Sequence, residues 1–262
     1  MRIRKENIKT IYYTDELNDE FSKAKIIPRK IDEKFKYNKN PIWDFCSLLC
    51  QNVFSMPIKI LHSKIVFHHE FIGKEKFKKC KNEGYFIYCN HTQSFEDTFI
   101  PSLGNFPKRN FLIVNPENIS MKGSGWLVEL LGAIPIPGTK CATKKFLNEI
   151  EKRINQKHSI TIYPEAHIWP YYTGIRNFKS VSFKYPVSLN KPSFVITNTY
   201  QKYGKKNNKL KIVSYVDGPF YFDNNLNQQE AKKDLREKIY NTMVERSKNS
   251  NFSYINYLPK NN

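Results

Sequence analysis

The sequence predicts an α/β fold: a mixed, mostly parallel sheet flanked by helices, with an N-terminal helical segment. Three observations predict it. From about residue 63 onward, short runs rich in Ile, Val, Phe and Tyr alternate with stretches whose apolar residues recur at helical spacing. Turn residues bound those runs, as they bound strands. The 262 residues are 40% hydrophobic and 15% aromatic, enough for a substantial core and too much for a disordered chain.

Residues 1–41 are polar and charged with little periodicity, and read as an arm with one short helix. Ile42–Leu61 is the most apolar stretch; Asp44, Gln51, Asn52 and Lys59 interrupt it, so it falls short of the roughly 18 unbroken apolar residues of a spanning helix. Trp43, Phe45, Leu48, Leu49, Val53 and Phe54 give it a wide apolar face. Such a helix either packs on the core or lies in a membrane interface, aromatics down and lysines toward the headgroups. Strands are expected at Tyr85–Cys89, Asn110–Val114, Ala133–Ile136, Ile160–Tyr163, Phe194–Thr197 and Leu210–Val216. Helices are expected near Ser124–Leu131 and over Thr143–Gln156 and Gln228–Arg246. The chain therefore divides into residues 1–71, arm and apolar helix, and residues 72–262, the α/β domain.

The formal charge is +19, which calls for an anionic partner: nucleic acid, an anionic membrane surface, or phosphorylated or CoA-linked substrates. Denser basic runs, Lys74–Lys81 and Lys202–Lys211, also read as ordinary solvated loops. Sixteen tyrosines and nineteen phenylalanines offer stacking surface, so composition permits a basic nucleic-acid-binding protein. No nucleic-acid motif accompanies them, and the basic runs are not interleaved with aromatics at module spacing. Five cysteines, an odd count, and an N-terminus without a signal-peptide pattern point to a reduced compartment. There is no CxxC pair, no HExxH and no Gly-Lys-Ser/Thr, so neither a metal site nor a P-loop is expected.

Two loops that follow apolar strands hold reactive side chains. "NHTQSFED" follows Tyr85–Cys89, and "PEAHIWPYY" follows Ile160–Tyr163. In open α/β sheets, sites gather beyond the carboxyl ends of strands. A neutral imidazole can take a proton from a hydroxyl, and does so better when a carboxylate holds its other nitrogen. His91 is followed by Glu96 and Asp97, and either can reach it if the loop turns back. A histidine that merely caps a helix would look the same.

Taken together, "NHTQSFED", "LLGAIPIP" (Leu130–Pro137) and "YPEA" (Tyr163–Ala166), in this order and at these separations, resemble the glycerolipid acyltransferases of the lysophosphatidic-acid type. The resemblance runs from roughly Phe71 to Thr197. It implies that His91, preceded by Asn90, deprotonates an acceptor hydroxyl, which then attacks the thioester of an acyl-CoA or acyl carrier protein. The family's Asp position aligns with Asp97 if the loop carries a one-residue insertion, and with Glu96 otherwise. Gly132, Ile134, Pro135 and Ile136 fit the second block, Pro164 and Glu165 the third, and Lys179 the lysine of a later Phe-Lys stretch. The two arginines that the family sets on the acceptor's phosphate are here Gly138 and Ile168, with Lys140 the nearest cation to the first.

The resemblance thus implies an O-acyltransferase with catalytic His91, Asp97 and Glu96, and substrate-binding Asn90, Glu165, His167, Lys140 and Lys179. No cofactor or metal is expected, since acyl-CoA or acyl carrier protein is a co-substrate. The missing arginines imply an acceptor other than lysophosphatidic acid, with Arg176 a further nearby cation and His167 and Trp169 as polar and apolar walls. The partners expected are the acyl donor, a lipid-type acceptor and an anionic membrane surface, with no nucleic acid; the location is cytoplasmic, peripheral on the inner face of the membrane. A catalytically inactive lipid-binding relative is the alternative within the same resemblance.

Overall fold

A computed structural model describes residues 8–21, 26–37, 39–93, 96–204 and 209–260. Lys205–Asn208, within the second basic run, lie outside the described residues, as do Ser94 and Phe95, where the loop insertion would fall.

Seven strands form one sheet in the order β2 (Glu70–Ile72), β8 (Lys209–Phe220), β7 (Ser193–Tyr203), β3 (Tyr85–Cys89), β6 (Ser159–Ile162), β4 (Asn110–Val114) and β5 (Ala133–Pro135). All neighbours are parallel except β7 and β8, which form an antiparallel pair. Strand β3 lies between β7 and β6 and is buried along its whole length. Its side chains alternate between two cores: Phe86 and Tyr88 enter one, Tyr85, Ile87 and Cys89 the other. The boundary expected at residue 71 falls inside β2.

Helices cover both faces. On one side, α7 (Gln228–Ser247) starts with a capping box between Asn227 and Glu230 and buries Ala231, Leu235, Ile239 and Met243, a stripe at four-residue spacing. Beside it, α5 (Lys140–Asn155) buries Phe146, Ile150 and Ile154; the Thr139 side chain caps it, so it begins three residues before the expected start. Short helices α3 (Ile100–Asn105), α4 (Gly125–Leu130) and α6 (Lys184–Leu189) complete the connections.

The N-terminal segment departs from expectation in two ways. Among its described residues the arm contains no helix before Pro41; instead β1 (Lys9–Tyr13) pairs in parallel with β9 (Ile255–Pro259) in a separate two-stranded ribbon. The apolar stretch is a helical path of α1 (Pro41–Leu49), a π-helical turn at Cys50–Phe54 and α2 (Ser55–Phe67). This path is inside out. Ser47, Gln51, Lys59 and Ser63 are buried, whereas Ile42, Phe45, Leu48, Val53, Phe54, Ile58, Ile60, Leu61 and Ile65 face outward. The buried polar groups have partners: Ser47 Oγ donates to Leu130 O at 2.6 Å, Arg109 donates to Ser47 Oγ at 2.8 Å, and Lys59 Nζ donates to Ser102 Oγ at 3.1 Å. Of the two roles open to this stretch, core packing is excluded for the outward face. No helix of the described residues is long and apolar enough to cross a membrane.

Candidate active site

Adjacent strands β3 and β6 deliver the two reactive loops to the same edge of the sheet. After Cys89 the chain turns back on itself, and Asp97 is the centre of that turn. Its Oδ2 accepts the backbone N–H of Thr92 at 2.8 Å and of Gln93 at 2.9 Å, and lies 2.8 Å from His91 Nδ1. Its Oδ1 accepts Asn198 Nδ2 at 3.3 Å, and its backbone carbonyl accepts the Tyr163 hydroxyl. Two backbone amides can only donate, so Oδ2 is an acceptor and the imidazole proton sits on Nδ1. Nε2 is left with its lone pair, as a general base requires. Asp97 is completely buried, while the His91 side chain keeps 18% of its surface exposed.

The imidazole is held from below as well. It stacks on Tyr163 with centroids 4.4 Å apart. Its backbone is tied to the second loop: His91 N–H donates to Glu165 Oε2 at 3.4 Å, and Trp169 N–H donates to His91 O at 3.3 Å. Glu165 is buried beside Arg176, whose Nη2 lies 3.3 Å from its Oε2. Burial pushes the Glu165 carboxyl up to about 7 against the opposing pull of Arg176. Its other oxygen, Oε1, is buried without a hydrogen-bond partner among the described residues.

The remaining expected residues fall in three groups. Glu96 does not touch His91; its Oε1 lies 3.2 Å from His62 Nδ1 on α2, and burial raises its carboxyl. Asn90 is buried, and its amide exchanges two hydrogen bonds with the backbone of Asn198, at 3.0 and 2.8 Å, so it anchors the loop to β7. His167 pairs at 3.2 Å with Glu20 of the arm. Lys140 and Lys179 are exposed, and among the described residues no hydrogen bond or ion pair joins either to the two loops. Trp169 and Arg176 are not at a pocket wall. Trp169 is fully buried under Tyr13, Phe21 and Tyr257, and Arg176 is buried against Glu165, the carbonyls of His167 and Glu16, and the Trp169 ring.

Sequence reasoning missed Asn198, Tyr163, His62 and Arg176 as contributors. Asn198 carried a signal: an amide inside the apolar run "VITNTY" needs polar company. It finds Asn90, Asp97 and Ser214, the last donating to its Oδ1 at 2.6 Å. No three His, Cys, Asp or Glu side chains among the described residues gather as a metal-binding group.

An imidazole on a buried carboxylate, with its free nitrogen at the sheet edge, can deprotonate a hydroxyl. The model of the acyltransferase family matches residues 68–196, which hold both loops. The chain belongs to the acyltransferase family. Its likeness to solved structures includes the 1-acyl-sn-glycerophosphate (LPA) acyltransferase PlsC from Thermotoga maritima, at 16% identity over 78% of this chain and 79% of that one, with a TM-score of 0.49. No curated protein matches at a significant level. Within the acyltransferase the His91–Asp97 pair and the Glu165 loop both fall inside the matched span.

Proposed function

We propose that the chain is an O-acyltransferase that moves a fatty acyl group from acyl-CoA or acyl carrier protein to a hydroxyl of a lipid-type acceptor, with His91 as general base. The 2.8 Å contact between His91 Nδ1 and the buried Asp97 carries this reading. The acceptor hydroxyl gives its proton to His91 Nε2 as its oxygen attacks the thioester carbonyl. The C–S bond of the tetrahedral intermediate then breaks, and the imidazolium returns the proton to the leaving thiolate. Asp97 fixes the tautomer and steadies the imidazolium. No cofactor enters these steps.

For the acceptor we propose a head less charged than a phosphate monoester. Gly138 and Ile168 stand where the resemblance places the phosphate-binding arginines, and both lie under the arm. Gly138 N–H donates to Ile31 O at 2.9 Å; Ile168 N–H donates to Glu20, and Phe21 N–H donates to Ile168 O. A carboxylate therefore sits where the family would set a cation. Lys140 and Lys179, exposed at the helix starts nearby, are left to meet the anionic donor.

The membrane seat belongs to the same proposal. Residues 1–71 carry the association segment, residues 72–262 the acyltransferase-like domain, and the protein lies on the inner face of the membrane in the cytoplasm. The outward apolar face of the α1–α2 path supports an interfacial seat, and the +19 charge makes an anionic lipid surface its occupant. The test is to incubate the pure protein with labelled acyl-CoA or acyl carrier protein and a panel of lysolipids and alcohols, and to identify the product by mass. Product formation that His91→Ala abolishes is expected. Absence of product from every pair, or lysophosphatidic acid as the best acceptor with Lys140→Ala raising only its KM, contradicts the activity or the acceptor assignment respectively.

A further inference from the structure

Helix α2 turns its apolar residues outward and its polar residues inward, and two of the inward ones grip the same short segment. His62 Nδ1 lies 3.2 Å from Glu96 Oε1, and Lys59 Nζ donates to Ser102 Oγ at 3.1 Å. One turn of helix separates the two, so both fall on one face. Between their partners, Phe99 presents its ring to both: the Lys59 ammonium is 5.8 Å from its centroid, and the His62 ring meets it edge-on at 6.0 Å. The gripped segment, 96–102, begins next to Asp97.

This grip is a poor device for stability. Lys59 is buried, and no carboxylate among the described residues lies within ion-pair distance of it. Burial brings its ammonium down to about 8. A Leu or Met on the inner face would pack there without that penalty. Glu96 is likewise buried with an incomplete set of partners. The arrangement makes sense if the location of segment 96–102 matters more than its packing energy.

We propose that His62 and Lys59 are positioning residues for acyl transfer, through which the seating of α2 on a lipid surface fixes segment 96–102 and with it the carboxylate that holds His91. This rests on the function proposed above. When α2 is free in water its outward face is unsupported and the helix can shift. When the face is buried in lipid, His62 and Lys59 hold Glu96 and Ser102 in one place, and Asp97 keeps its geometry toward Nδ1.

The experiment uses the full chain with two readouts. The first is amide hydrogen exchange over 96–102, with and without vesicles containing anionic lipid. Exchange in the wild type should slow on vesicle addition, and His62→Ala should lose that slowing while still binding vesicles. The second is acyl transfer to a vesicle-borne acceptor. His62→Ala and Glu96→Gln should each lower kcat by about 10–100-fold, the scale of a displaced catalytic group, with the KM of the acyl donor unchanged. The double variant should be no slower than either single one, and His62→Gln, which keeps a donor, should recover part of the rate. Lys59→Met provides a second probe, with a higher melting temperature and a lower kcat expected. Unchanged exchange in the wild type, effects that multiply in the double variant, or Lys59→Met with wild-type kcat overturns the proposal. A wild type that responds in exchange but transfers no acyl group overturns the proposed activity and leaves the mechanical link between α2 and the segment standing.

Discussion

Ala166 takes φ 64°, a left-handed conformation that a side chain resists by about 1–2 kcal/mol and that glycine adopts freely. The turn it makes is tight, with Ala166 N–H donating to Tyr163 O and His167 N–H to Glu165 O. The resemblance puts glycine at this position, and the backbone has kept the glycine conformation after the substitution. Ala166→Gly should therefore raise stability by up to about 1 kcal/mol in denaturant unfolding, and a loss of stability would show that the turn is not strained. At the neighbouring Glu165, the folded carboxyl near 7 against an ordinary 4.5 means that the folded state holds a proton that the unfolded chain has released. The stability this group contributes is full below pH 4.5 and is lost as pH rises to about 7, at most about 3 kcal/mol. Glu165→Gln should remove that descending part of the melting-temperature curve; a constant offset between the two proteins across this range would contradict it. For the catalytic pair, His91→Ala should cost roughly 10²–10⁴ in rate with the fold intact, because the imidazole is partly exposed. Asp97→Asn should lose more rate than Glu96→Gln, since only Asp97 holds the imidazole; the reverse ranking in steady-state kinetics would move the pairing to Glu96. The sequence left these two carboxylates open, because the direction in which a loop turns back depends on the amides of Thr92 and Gln93 and on Asn198 in a strand a hundred residues away.

Central strands and long helices were legible in the sequence because each carries its own period. Strands β3 and β4 lie where the alternation and turn residues put them, and α7 follows its four-residue stripe. The elements that were not legible depend on partners. Strand β2 is three residues long and exists by pairing with β8, and β1 exists by pairing with a segment some 240 positions away. The α1–α2 path was legible as a helix but not as an inverted one, since apolar spacing reports which face is apolar and not what lies against it. That inversion gives the element a prediction of its own. Ile58, Leu61 and Ile65 are exposed, so changing all three to Ser should alter stability by no more than about 0.5 kcal/mol per site. Binding to anionic vesicles should fall at least about tenfold, because each full burial of such a side chain is worth about 1.5–3 kcal/mol. Unimpaired sedimentation with vesicles would place the lipid contact elsewhere.

Over the whole molecule, a charge of +19 attracts anionic surfaces over a distance that salt shortens to about 8 Å at physiological strength. Vesicle binding should therefore weaken steeply between low and high salt while the apolar contact of α1–α2 persists; binding that only detergent reverses would mean deeper insertion. The molecule also has an order of assembly. Residues 9–13 pair with 255–259, and that ribbon lays Tyr13 and Tyr257 over Trp169, whose backbone in turn holds His91. At ordinary rates of translation, the second strand leaves the ribosome roughly 10–50 s after the first. The sheet and its helices can form in that interval, whereas the lid over Trp169 waits for the last stretch of β structure. A nascent chain thus carries the paired histidine and aspartate before it carries the roof that steadies them, and the chemistry is the last part of the protein to be made ready.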